Sequence, residues 1–564
     1  MIIGIDLGTT NCLAAYFADG KPHLIPNRLG EYLTPSVISV DENNQLYVGA
    51  TARERKIKYP NSTVEVFKRS MGTDKLFETG SNKMDAVMLS SIMLSTLKED
   101  AERFTGETVT DAVISVPAYF NELQRKATKQ AGIMAGLNVR RIINEPTAAA
   151  LAYGINDIER DRTILAFDLG GGTFDVSILE FFDGIMEVHA IAGDNYVGGE
   201  DFTSKLVDMF CDINNINPAS LKGNEKAHLR NQCEKAKKQF SNADIVKITC
   251  NIRSAEYHAE IHISDFEYAC MDLLNRIVKP IEHSLNDSGM DIDDIDDIIF
   301  IGGGTRFPII KNLVTKMFGR FPNTSVNPDE AVALGAAIQC AMSTRNEAIK
   351  EVVMTDVCPF TLGTSIVEDA KNKLSQNQLI FSPIIERNTV IPVSRTRRYY
   401  TASDYQNMIE FDILQGESRF AKNNLTLGTI KIKLPEKPAG EESILATFTY
   451  DVNSLLEVKI KVESTGVERT VILQQSDNKI SEEEAKARMA ELDYLKILPW
   501  EDEANKQLIF RCERMYEENT GEIREYIGNL MTKFDYVMGT QDKRAIEELR
   551  KQIHNILDEI EQFK

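Results

Sequence analysis

Two alternating patterns of hydrophobic and polar positions run through the first 350 residues. Short apolar runs such as IIGID, AVISV and ILAFD lead into glycine-containing segments, and stretches such as LSSIMLSTLKEDAERF and AVALGAAIQCAMST lie between them. Short apolar runs bounded by turn residues are typical of buried strands, whereas apolar spacing of three and four predicts helices. This alternation predicts an α/β domain.

One strand-and-turn pattern occurs more than once in that domain. IGIDLGTT at 3–10 and AFDLGGGTFD at 166–175 both place an Asp at a strand end, followed by a turn of Gly and Thr. A third glycine turn, IGGGTRFP at 301–308, also follows a predicted strand. The repetition predicts two related halves that face one another.

The pattern changes near residue 351. After a short apolar linker, period-two alternation predicts an antiparallel β-sandwich with strands in TVIPVSR, MIEFDIL, TIKIKL, ATFTYDV, LEVKIKVE and RTVILQQ. From Ser481, which forms a capping-box pattern with Glu484, the sequence becomes helical. Pro499 should break the first helix, and an apolar stripe marks the last at Ile546, Leu549, Ile553, Leu557, Ile560 and Phe563.

These patterns predict a multidomain fold with α/β, all-β and α parts. The predicted boundaries are 1–350 for the α/β domain, 351–357 for the linker, 358–478 for the sandwich and 479–564 for a short helical segment.

Composition narrows the class of protein. The chain has 564 residues, 43% hydrophobic and 26% charged, which suits a folded globular protein of several domains. Lys and Arg number 64 and Asp and Glu number 85, giving a net charge of −21. So acidic a protein is a poor ligand for a nucleic-acid backbone, although a local pocket can still hold the phosphates of a nucleotide.

Cysteine, histidine and hydropathy patterns exclude further classes. The eight cysteines form no C-x-x-C pair, so we interpret them as reduced thiols that fill the core. His258 and His262 lie in YHAEIHI, whose alternation favours a strand over a metal-binding helix. With neither a signal peptide nor a membrane span predicted, we expect a cytoplasmic protein.

The Asp-containing turns predict phosphate chemistry. In Asp6-Leu7-Gly8-Thr9-Thr10, backbone amides can approach phosphate oxygens closely because glycine has no Cβ, and the carboxylate can hold a hydrated cation. Either turn alone could be an ordinary strand end. Two such turns can grip a phosphate chain from opposite sides.

Several motifs, in order, resemble the DnaK-type seventy-kilodalton heat-shock chaperones. They are IIGIDLGTTNC, VPAYF at 116–120, NEPTAAALAYG at 144–154, FDLGGGTFDVSILE at 167–180, GGEDF at 198–202, NPDEAVALGAA at 327–337 and LQGE at 414–417. DVCPF at 356–360 and FSPIIERNT at 381–389 look most like the HscC subgroup. The resemblance implies an actin-like two-lobed ATPase domain, a peptide-binding β-sandwich and a short helical lid.

The resemblance also implies roles at the phosphate end of an ATP or ADP site. Asp6 and Asp168 would hold Mg²⁺ through water, and potassium ions could share the site. Lys68 would reach the γ-phosphate, Glu145 and Asp175 would position the attacking water, and Thr173 would contact the γ-phosphate. The other implied phosphate-binding residues are Gly8, Thr9, Thr10, Asn11, Gly170, Gly171 and Gly172.

For the adenosine end, the resemblance implies one helix and one glycine turn. The helix CEKAKKQFS, taken by itself, would be a solvated face with i,i+4 charge pairs. The family differs from this chain in often having serine at Gly304 and a small aliphatic residue at Phe307. The implied residues are Glu234, Lys237, Lys238, Ser241, Gly302, Gly303, Gly304, Arg306 and Asp329, and the resemblance also implies Gly199 as a nucleotide-binding residue.

In the sandwich, the resemblance implies a groove for an extended apolar peptide. Ile409 and Phe411 are two residues apart on one strand and, from the pattern alone, could equally face an ordinary core. The implied groove residues are Thr364, Val367, Tyr399, Ala402, Ile409 and Phe411.

Coupling between the domains is implied to run through the linker VVMTD, which would dock on the ATPase domain when ATP is bound. Thr355 replaces an apolar residue there, so its hydroxyl should weaken docking unless it finds a hydrogen bond. Pro117, Arg125 and Arg141 match positions for relay and for a J-domain co-chaperone. The shortened segment after Lys68 makes dependence on a GrpE-type exchange factor doubtful.

The resulting prediction is an ATP-dependent chaperone that binds and releases unfolded or regulatory client proteins. Two alternatives stay open at this stage. One is a nucleotide-regulated protein that sequesters a single partner such as a transcription factor. The other is a small-molecule kinase of the actin-like superfamily, which would leave the linker, the strands and the helical tail unexplained.

Overall fold

The computed structural model describes residues 1–80, 82–154, 160–253, 255–344, 353–367, 379–451, 455–473 and 496–562. The predicted boundaries at 350/351 and 478/479 and the capping box of Ser481 and Glu484 lie outside these residues, as does Phe563.

The first lobe comprises β1–β11 and α1–α4. Its strands are β1 (Ile2–Leu7), β2 (Asn11–Ala18), β3 (Lys21–Ile25), β4 (Thr34–Pro35), β5 (Val37–Val40), β6 (Leu46–Val48), β7 (Thr63–Glu65), β8 (Leu76–Thr79), β9 (Asn82–Asp85), β10 (Asp111–Val116) and β11 (Asn138–Asn144). Its helices are α1 (Ala50–Lys58), α2 (Ala86–Thr105), α3 (Glu122–Met134) and α4 (Glu145–Gly154), with 3₁₀ turns at Pro60–Ser62 and Phe67–Ser70.

The second lobe comprises β12–β17 and α5–α10. Its strands are β12 (Arg162–Leu169), β13 (Phe174–Phe182), β14 (Ile185–Asp194), β15 (Ile245–Ile252), β16 (Ala255–His262) and β17 (Asp297–Ile301). Its helices are α5 (Gly199–Ile213), α6 (Gly223–Gln239), α7 (Ile263–Ala269), α8 (Met271–Ser288), α9 (Pro308–Phe318) and α10 (Ala331–Ser343), with 3₁₀ turns at Pro218–Ser220, Ile292–Asp294 and Gly303–Arg306.

The two lobes share one sheet topology. In the first, the antiparallel meander β1-β2-β3 continues through a parallel pairing of β1 with β10, and in the second β12-β13-β14 continues through a parallel pairing of β12 with β17. The two Asp-containing turns therefore occupy equivalent positions, between the first two strands of each meander. The predicted repeat is a structural repeat.

The helices α4 and α10 pack closely because their sequences supply small side chains. A Cβ placed on Gly335 of α10 would lie 1.6 Å from the carbonyl oxygen of Ala148 in α4. Buried alanines from both helices join the apolar core between the sheets. The motifs NEPTAAALAYG and NPDEAVALGAA thus supply the small side chains at the contact between α4 and α10.

The strand β18 (Val353–Val357) follows the second lobe and leads into a two-sheet sandwich. The sandwich region contains β19 (Leu362–Ile366), β20 (Ile380–Ile385), β21 (Val390–Ile391), β22 (Val393–Tyr400), β23 (Met408–Gln415), β24 (Leu425–Lys433), β25 (Ser443–Tyr450), β26 (Leu456–Val462) and β27 (Glu468–Leu473), with a 3₁₀ turn at Ala421–Asn423. The strand orders are β20-β19-β23-β24 and β22-β25-β26-β27. Alternate residues such as Ile430 and Ile432 point into the core, as the period-two pattern predicts.

The strand β18 also joins the sandwich to the second lobe. It pairs in parallel with β14, placing Thr355 opposite Glu187, and antiparallel with β21. The second-lobe sheet therefore continues through the predicted linker into a strand of the sandwich region.

The C-terminal helices are α11 (Glu503–Glu518), α12 (Gly521–Thr540) and α13 (Lys543–Gln562). They enclose a core of their own, to which α13 contributes five residues of the predicted stripe: Ile546, Leu549, Ile553 and Leu557, which are buried, and Ile560, which is partly buried. The helix α11 begins after Pro499, with the Asp502 carboxylate accepting hydrogen bonds from the amides of Ala504 and Asn505. Mixed α/β lobes, sandwich and helical segment confirm the predicted fold class.

The remaining predictions about side chains concern cysteine and histidine. All eight cysteines lie among the described residues, and each is a buried free thiol. YHAEIHI lies mainly in strand β16, on which His258 and His262 are exposed. The prediction of a strand there is confirmed.

Candidate functional site

A cavity of about 590 Å³ lies in the cleft between the two lobes. Most residues predicted at the nucleotide site line it, whereas Gly172 and Asp175 lie behind its surface. The lining residues among those predicted are Asp6, Gly8, Thr9, Thr10, Asn11, Lys68, Glu145, Asp168, Gly170, Gly171, Thr173, Gly199, Glu234, Lys237, Lys238, Ser241, Gly302, Gly303, Gly304, Arg306 and Asp329.

The two glycine turns face one another across the cleft. A Cβ on Gly171 would lie 2.1 Å from Cγ2 of Thr10, and one on Gly172 would lie 2.5 Å from Cγ2 of Thr9. Both positions therefore need glycine for the turns to approach this closely. The contact brings hydroxyls of one lobe beside backbone amides of the other, an arrangement suited to a chain of phosphates.

Lys68 lies on the first-lobe wall of the cleft, in the 3₁₀ turn Phe67–Ser70. Its Nζ donates a hydrogen bond to Oε1 of Glu145 at 2.7 Å, and the two side chains are only 3% and 10% exposed. Burial lowers the pKa of Lys68, but the nearby carboxylates of Glu145 and Asp6 outweigh that effect and raise it. The lysine is therefore a fixed cation inside the cleft.

Carboxylates crowd the same space. Burial, with repulsion from Glu145, raises the pKa of Asp6 to about 7 and that of Asp175 to about 8, and the pKa of Asp168 moves in the same direction for the same two reasons. Asp6 accepts a hydrogen bond from the Ser115 hydroxyl at 2.9 Å. Because each carboxylate would be stabilised by positive charge, this cluster suits a cation.

The donor set fits magnesium in particular. Within the described part of the chain, Oδ2 of Asp168 and Oδ2 of Asp175 are buried without a hydrogen-bond partner, so oxygen ligands are available. The described part of the chain contains no group of three or more His, Cys, Asp or Glu side chains that could hold a metal ion without other ligands. Magnesium typically takes one or two carboxylates and completes its shell with waters and phosphate oxygens.

Asp175 is fixed from behind the cleft. It lies opposite Asp168 in the β12–β13 pair, and its Oδ1 accepts a hydrogen bond from the backbone N–H of Tyr119 at 3.0 Å. Asn195 holds the same loop through a bond from Nδ2 to the Tyr119 carbonyl at 3.0 Å.

The helix α6 forms one wall of the cavity. Glu234 pairs with Lys237 at 2.7 Å and with Lys238 at 3.5 Å, and it accepts a hydrogen bond from Oγ1 of Thr203 at 2.6 Å. Lys237 also donates to the carbonyl of Gly199 at 2.7 Å. The charged pattern EKAKK is thus a partly buried network, with Lys238 the exposed member at 72%.

Arg306 and the glycine turn before it form the opposite wall. The guanidinium donates to Oδ2 of Asp329 at 2.9 Å, and the side chain stays 53% exposed. A planar guanidinium of this kind can stack on an aromatic base. A Cβ on Gly304 would lie 2.6 Å from the carbonyl oxygen of Leu169, which explains glycine where the family often has serine.

Phe307 lies behind this wall. Its ring is 7% exposed and packs against Phe202, Phe240 and Phe266 at centroid distances of 5.6, 6.4 and 5.5 Å. The larger side chain at this position therefore joins an aromatic core, and both Phe307 and Phe202 reach the cavity lining.

Sequence reasoning did not identify several residues of the cleft. Thr203 holds Glu234, Arg230 pairs with Glu200, and Arg69 crosses from the first lobe to Asp201 in the second. The sequence offered one indication for Arg69, because this residue directly follows Lys68 in EVFKRSMG. Thr203 and Arg230 had none, because each depends on packing between α5 and α6.

The six predicted groove residues do not share one exposed face. Phe411 is 4% exposed in the sandwich core, with its ring 5.8 Å from that of Tyr399, and Ile409 packs against the same core. Thr364 is 1% exposed, whereas Val367 is 45% exposed and Ala402 is exposed.

The coupling residues meet at the start of the sandwich. Arg125 donates to Oδ1 of Asn144 at 2.6 Å, and Nδ2 of Asn144 donates to Oδ2 of Asp356 at 2.9 Å. Burial raises the pKa of Asp356, and burial lowers the pKa of Arg141, which faces the same carboxylate. The Thr355 hydroxyl finds no hydrogen-bond partner in the described part of the chain.

Among the described helices, none combines the length and apolar composition that crossing a bilayer requires.

The sequence matches the Hsp70 protein family over residues 2–79 and 75–564. It is also similar to the chaperone protein DnaK of Thermotoga neapolitana, with 40% identity over 504 residues that cover 87% of this chain and 83% of that protein.

Proposed function

This chain belongs to the Hsp70 family and is an ATP-dependent molecular chaperone, and from that premise we propose how its parts divide the work. It hydrolyses ATP with magnesium and binds unfolded client peptides. We assign ATP hydrolysis to residues 1–350, coupling to 351–357, peptide binding to 358–478 and a short lid to 479–564.

At the phosphate end, Asp6 and Asp168 would hold magnesium, and the facing turns with Thr9, Thr10, Asn11 and 170–173 would hold the phosphates. Magnesium, when bound, supplies charge neutralisation on the phosphate oxygens. Lys68 would offset charge on the γ-phosphate, and Glu145 and Asp175 would orient the attacking water. Potassium sharing the site remains part of this proposal.

The observation that carries this assignment is the single buried cluster of Lys68, Glu145, Asp6 and Asp168 beside two facing glycine turns. The Lys68 ammonium lies among the carboxylates of Asp6, Glu145, Asp168 and Asp175, and it opposes the rise that burial causes in the pKa of the three aspartates. Such a cluster suits the transfer of a phosphoryl group to water, which depends on positioning and charge stabilisation.

At the adenosine end, we propose that the α6 wall of Glu234, Lys237, Lys238 and Ser241 clasps the sugar. The flat face of Arg306, held by Asp329, would stack on the base beside Gly302–Gly304. Gly199 lies between the two ends and would approach the phosphates through its backbone.

In the sandwich, we propose that Thr364, Val367, Tyr399, Ala402, Ile409 and Phe411 form the groove after the domains separate. Phe411 packs against Tyr399 and Phe448 of the sandwich itself, so this proposal requires the sandwich to rearrange as the domains separate. The pairing of β18 with β14 supports the linker as the element that reports ATP binding to this groove.

Partners and location belong to the same proposal. Arg125 and Arg141, with Pro117, would form the surface through which a J-domain co-chaperone acts, and dependence on a GrpE-type exchange factor would be weak. The HscC subgroup remains the proposed placement within the family. Eight buried free thiols support a reducing compartment such as the cytoplasm.

The test is peptide-stimulated ATP hydrolysis by the full chain and by Lys68→Ala, with Lys83→Ala as the matched control because Lys83 is exposed. We expect stimulation in the natural chain and in the control, and its loss in Lys68→Ala. Trp500, 49% exposed and the only tryptophan, reports ATP-driven movement by fluorescence. Hydrolysis by Lys68→Ala at the natural rate would contradict the site assignment.

A peptide array separates general chaperoning from sequestration of one partner. Binding of many apolar segments supports the general role, and binding of a single segment supports the specialised one.

A further inference from the structure

Arg69 joins the two lobes at the phosphate end of the cleft. It belongs to the 3₁₀ turn Phe67–Ser70 of the first lobe, and its Nε donates to the carbonyl of Gly172 in the second lobe at 2.7 Å. Its Nη1 donates to Oδ1 of Asp201 at 3.2 Å, and its Nη2 contacts Oδ2 of the same carboxylate. The side chains of Arg69 and Asp201 are 18% and 26% exposed, so solvent screens the pair only in part.

The partners of Arg69 belong to one structural unit. Asp201 lies in the first turn of α5, and its Oδ2 accepts a hydrogen bond from the N–H of Gly198 at 2.8 Å. The next two amides, of Gly199 and Glu200, donate to the carbonyls of Gly170 and Gly171 at 3.0 and 2.9 Å. Asp201 and Gly172 therefore belong to one hydrogen-bonded unit, in which the start of α5 supports the second-lobe phosphate turn.

On the other side, Arg69 adjoins Lys68. The turn that presents both residues begins after Val66, whose φ of 57° and ψ of 21° place a β-branched residue in the left-handed region. That conformation is costly and persists only when its surroundings hold it. Glu145 fixes Lys68 within the first lobe, and Arg69 connects the same turn to the second lobe.

We infer that Arg69 is a positioning residue for ATP hydrolysis. It aligns the Lys68 ammonium with the turn 170–173 when the lobes close, and it retards opening of the cleft. The inference rests on the proposed roles of Lys68 and that turn. Arginine suits the task because its planar fork bonds a carboxylate with two nitrogens while Nε bonds a carbonyl, whereas the single ammonium of lysine cannot make all three contacts in this geometry.

The test uses the full chain and two measurements: the single-turnover rate of hydrolysis at saturating ATP and the rate of release of a fluorescent ADP. We expect Arg69→Met to slow the single turnover by roughly 10- to 100-fold through misplacement of Lys68, and to speed ADP release. Arg69→Lys should recover part of both effects. Arg103→Met is the control, because Arg103 is 54% exposed and remote from the cleft.

Asp201→Asn addresses the same contact without altering Arg69. The amide oxygen of asparagine can still accept from Gly198, so the start of α5 should persist while the charged pair is lost. We expect the same direction of change as in Arg69→Met. The double variant should be no worse than Arg69→Met, since both changes remove one interaction.

Natural rates of single turnover and ADP release in a folded Arg69→Met, even with a lower Tm, would overturn the inference by reducing Arg69 to a structural role. If Arg69→Met does not fold, Asp201→Asn decides by the same criteria. Lys68→Ala separates a failure of this inference from a failure of the site assignment. If Lys68→Ala loses hydrolysis while Arg69→Met is unaffected, only the inference about Arg69 is refuted. Retained hydrolysis in Lys68→Ala refutes both the inference and the site assignment.

Discussion

The nucleotide cleft and the junction between the domains differ in how their carboxylates are partnered. In the cleft, Asp6, Asp168 and Asp175 lie close together, and burial raises the pKa of each. At the junction, where β14, β18, the sandwich and the helical bundle meet, carboxylates are matched by protein groups. Added positive charge would stabilise the carboxylates of the cleft. The junction instead consists of hydrogen bonds and ion pairs that can break when the domains separate.

Asp287 of α8 shows the junction chemistry. Arg387 donates to both of its oxygens, at 2.7 and 3.0 Å, and Nδ2 of Asn388 donates at 2.8 Å. The Asn388 side chain also accepts from the N–H of Ile191 at 2.9 Å. One loop of the sandwich thereby grips both a helix and a strand of the second lobe.

The helical bundle reaches the same junction through the turn between α12 and α13. The side-chain amide of Gln541 accepts from the N–H of Thr396 at 3.0 Å and donates to its carbonyl at 2.8 Å, as a neighbouring strand would. Arg544 donates to Oε1 of Glu187 at 2.7 Å. Because Glu187 lies opposite Thr355 in the β14–β18 pair, the bundle touches the strand that receives the linker.

Single changes in the cleft should therefore have larger effects than single changes at the junction. A cleft residue acts on the reaction itself, so its loss should cost orders of magnitude in rate. A junction residue shifts an equilibrium between docked and undocked domains, and each such contact should contribute only a modest free energy.

The largest expected effect is in the cleft. Glu145→Gln removes a carboxylate proposed to position water and leaves Lys68 without its ion-pair partner. We expect single-turnover hydrolysis to fall by about 100-fold or more, while protease sensitivity of the linker with bound ATP stays near natural. Glu78→Gln, on an exposed pair, is the control. A drop in linker protection as large as the drop in rate would erase the distinction between the two regions.

Thr355→Val tests the weakest point of the junction. The Thr355 hydroxyl is buried without a partner in the described part of the chain, and valine has nearly the same shape. We expect the docked linker to gain about 1 to 3 kcal/mol, measured as slower proteolysis of the linker with ATP bound. Thr355→Ser, which keeps the hydroxyl, should show no gain. Equal protection of the valine and natural chains would mean that the hydroxyl is satisfied in solution.

Asp287→Ala should act in the opposite direction and more weakly. It removes three contacts, but Arg387 is 34% exposed and keeps Glu417 at 3.4 Å, so we expect a loss of about 1 kcal/mol or less of docking free energy. Linker cleavage with ATP bound should rise up to about fivefold, with hydrolysis of bound ATP little changed. Glu99→Ala, which breaks an exposed pair with Arg28, serves as the control. A hydrolysis defect comparable to that of Glu145→Gln would contradict the comparison.

The smallest effect concerns pH and the helical bundle. Burial, followed by repulsion from Arg511, lowers the pKa of His554 from 6.5, with Arg550 adding to the repulsion and Asp558 opposing it. The folded bundle therefore favours neutral histidine, so its stability is present above the ordinary value and declines as pH falls below it.

Thermal unfolding followed by Trp500 fluorescence should show a slightly lower Tm at about pH 5.5 than at about pH 7.5, and His554→Gln should reduce that difference. His258→Gln is the control, since His258 lies exposed on β16. An unchanged pH dependence of Tm in His554→Gln would show that His554 does not cause it.

Local pattern was enough to predict much of this molecule. The six strand predictions after residue 388 correspond to β21 to β27, because period-two alternation follows directly from the geometry of a strand with one buried face. The Asp and Gly residues of both turns were also predictable, since close backbone approach needs glycine at particular positions. Lys68 and the adenosine helix were predicted only from the family resemblance, because neither an isolated lysine nor a charged helix face has a distinguishing local pattern.

Local sequence patterns specify the helices and strands, the repeated turns and the residue types that could bind phosphate and a cation. Long-range packing brings Arg69 to Asp201 and Arg387 to Asp287, and it buries Phe411 in the sandwich core. Periodicity and turn chemistry act between residues close along the chain, so they can be read in order. Contacts between residues 100 or more positions apart depend on how whole lobes and sheets pack, and local spacing carries no record of that.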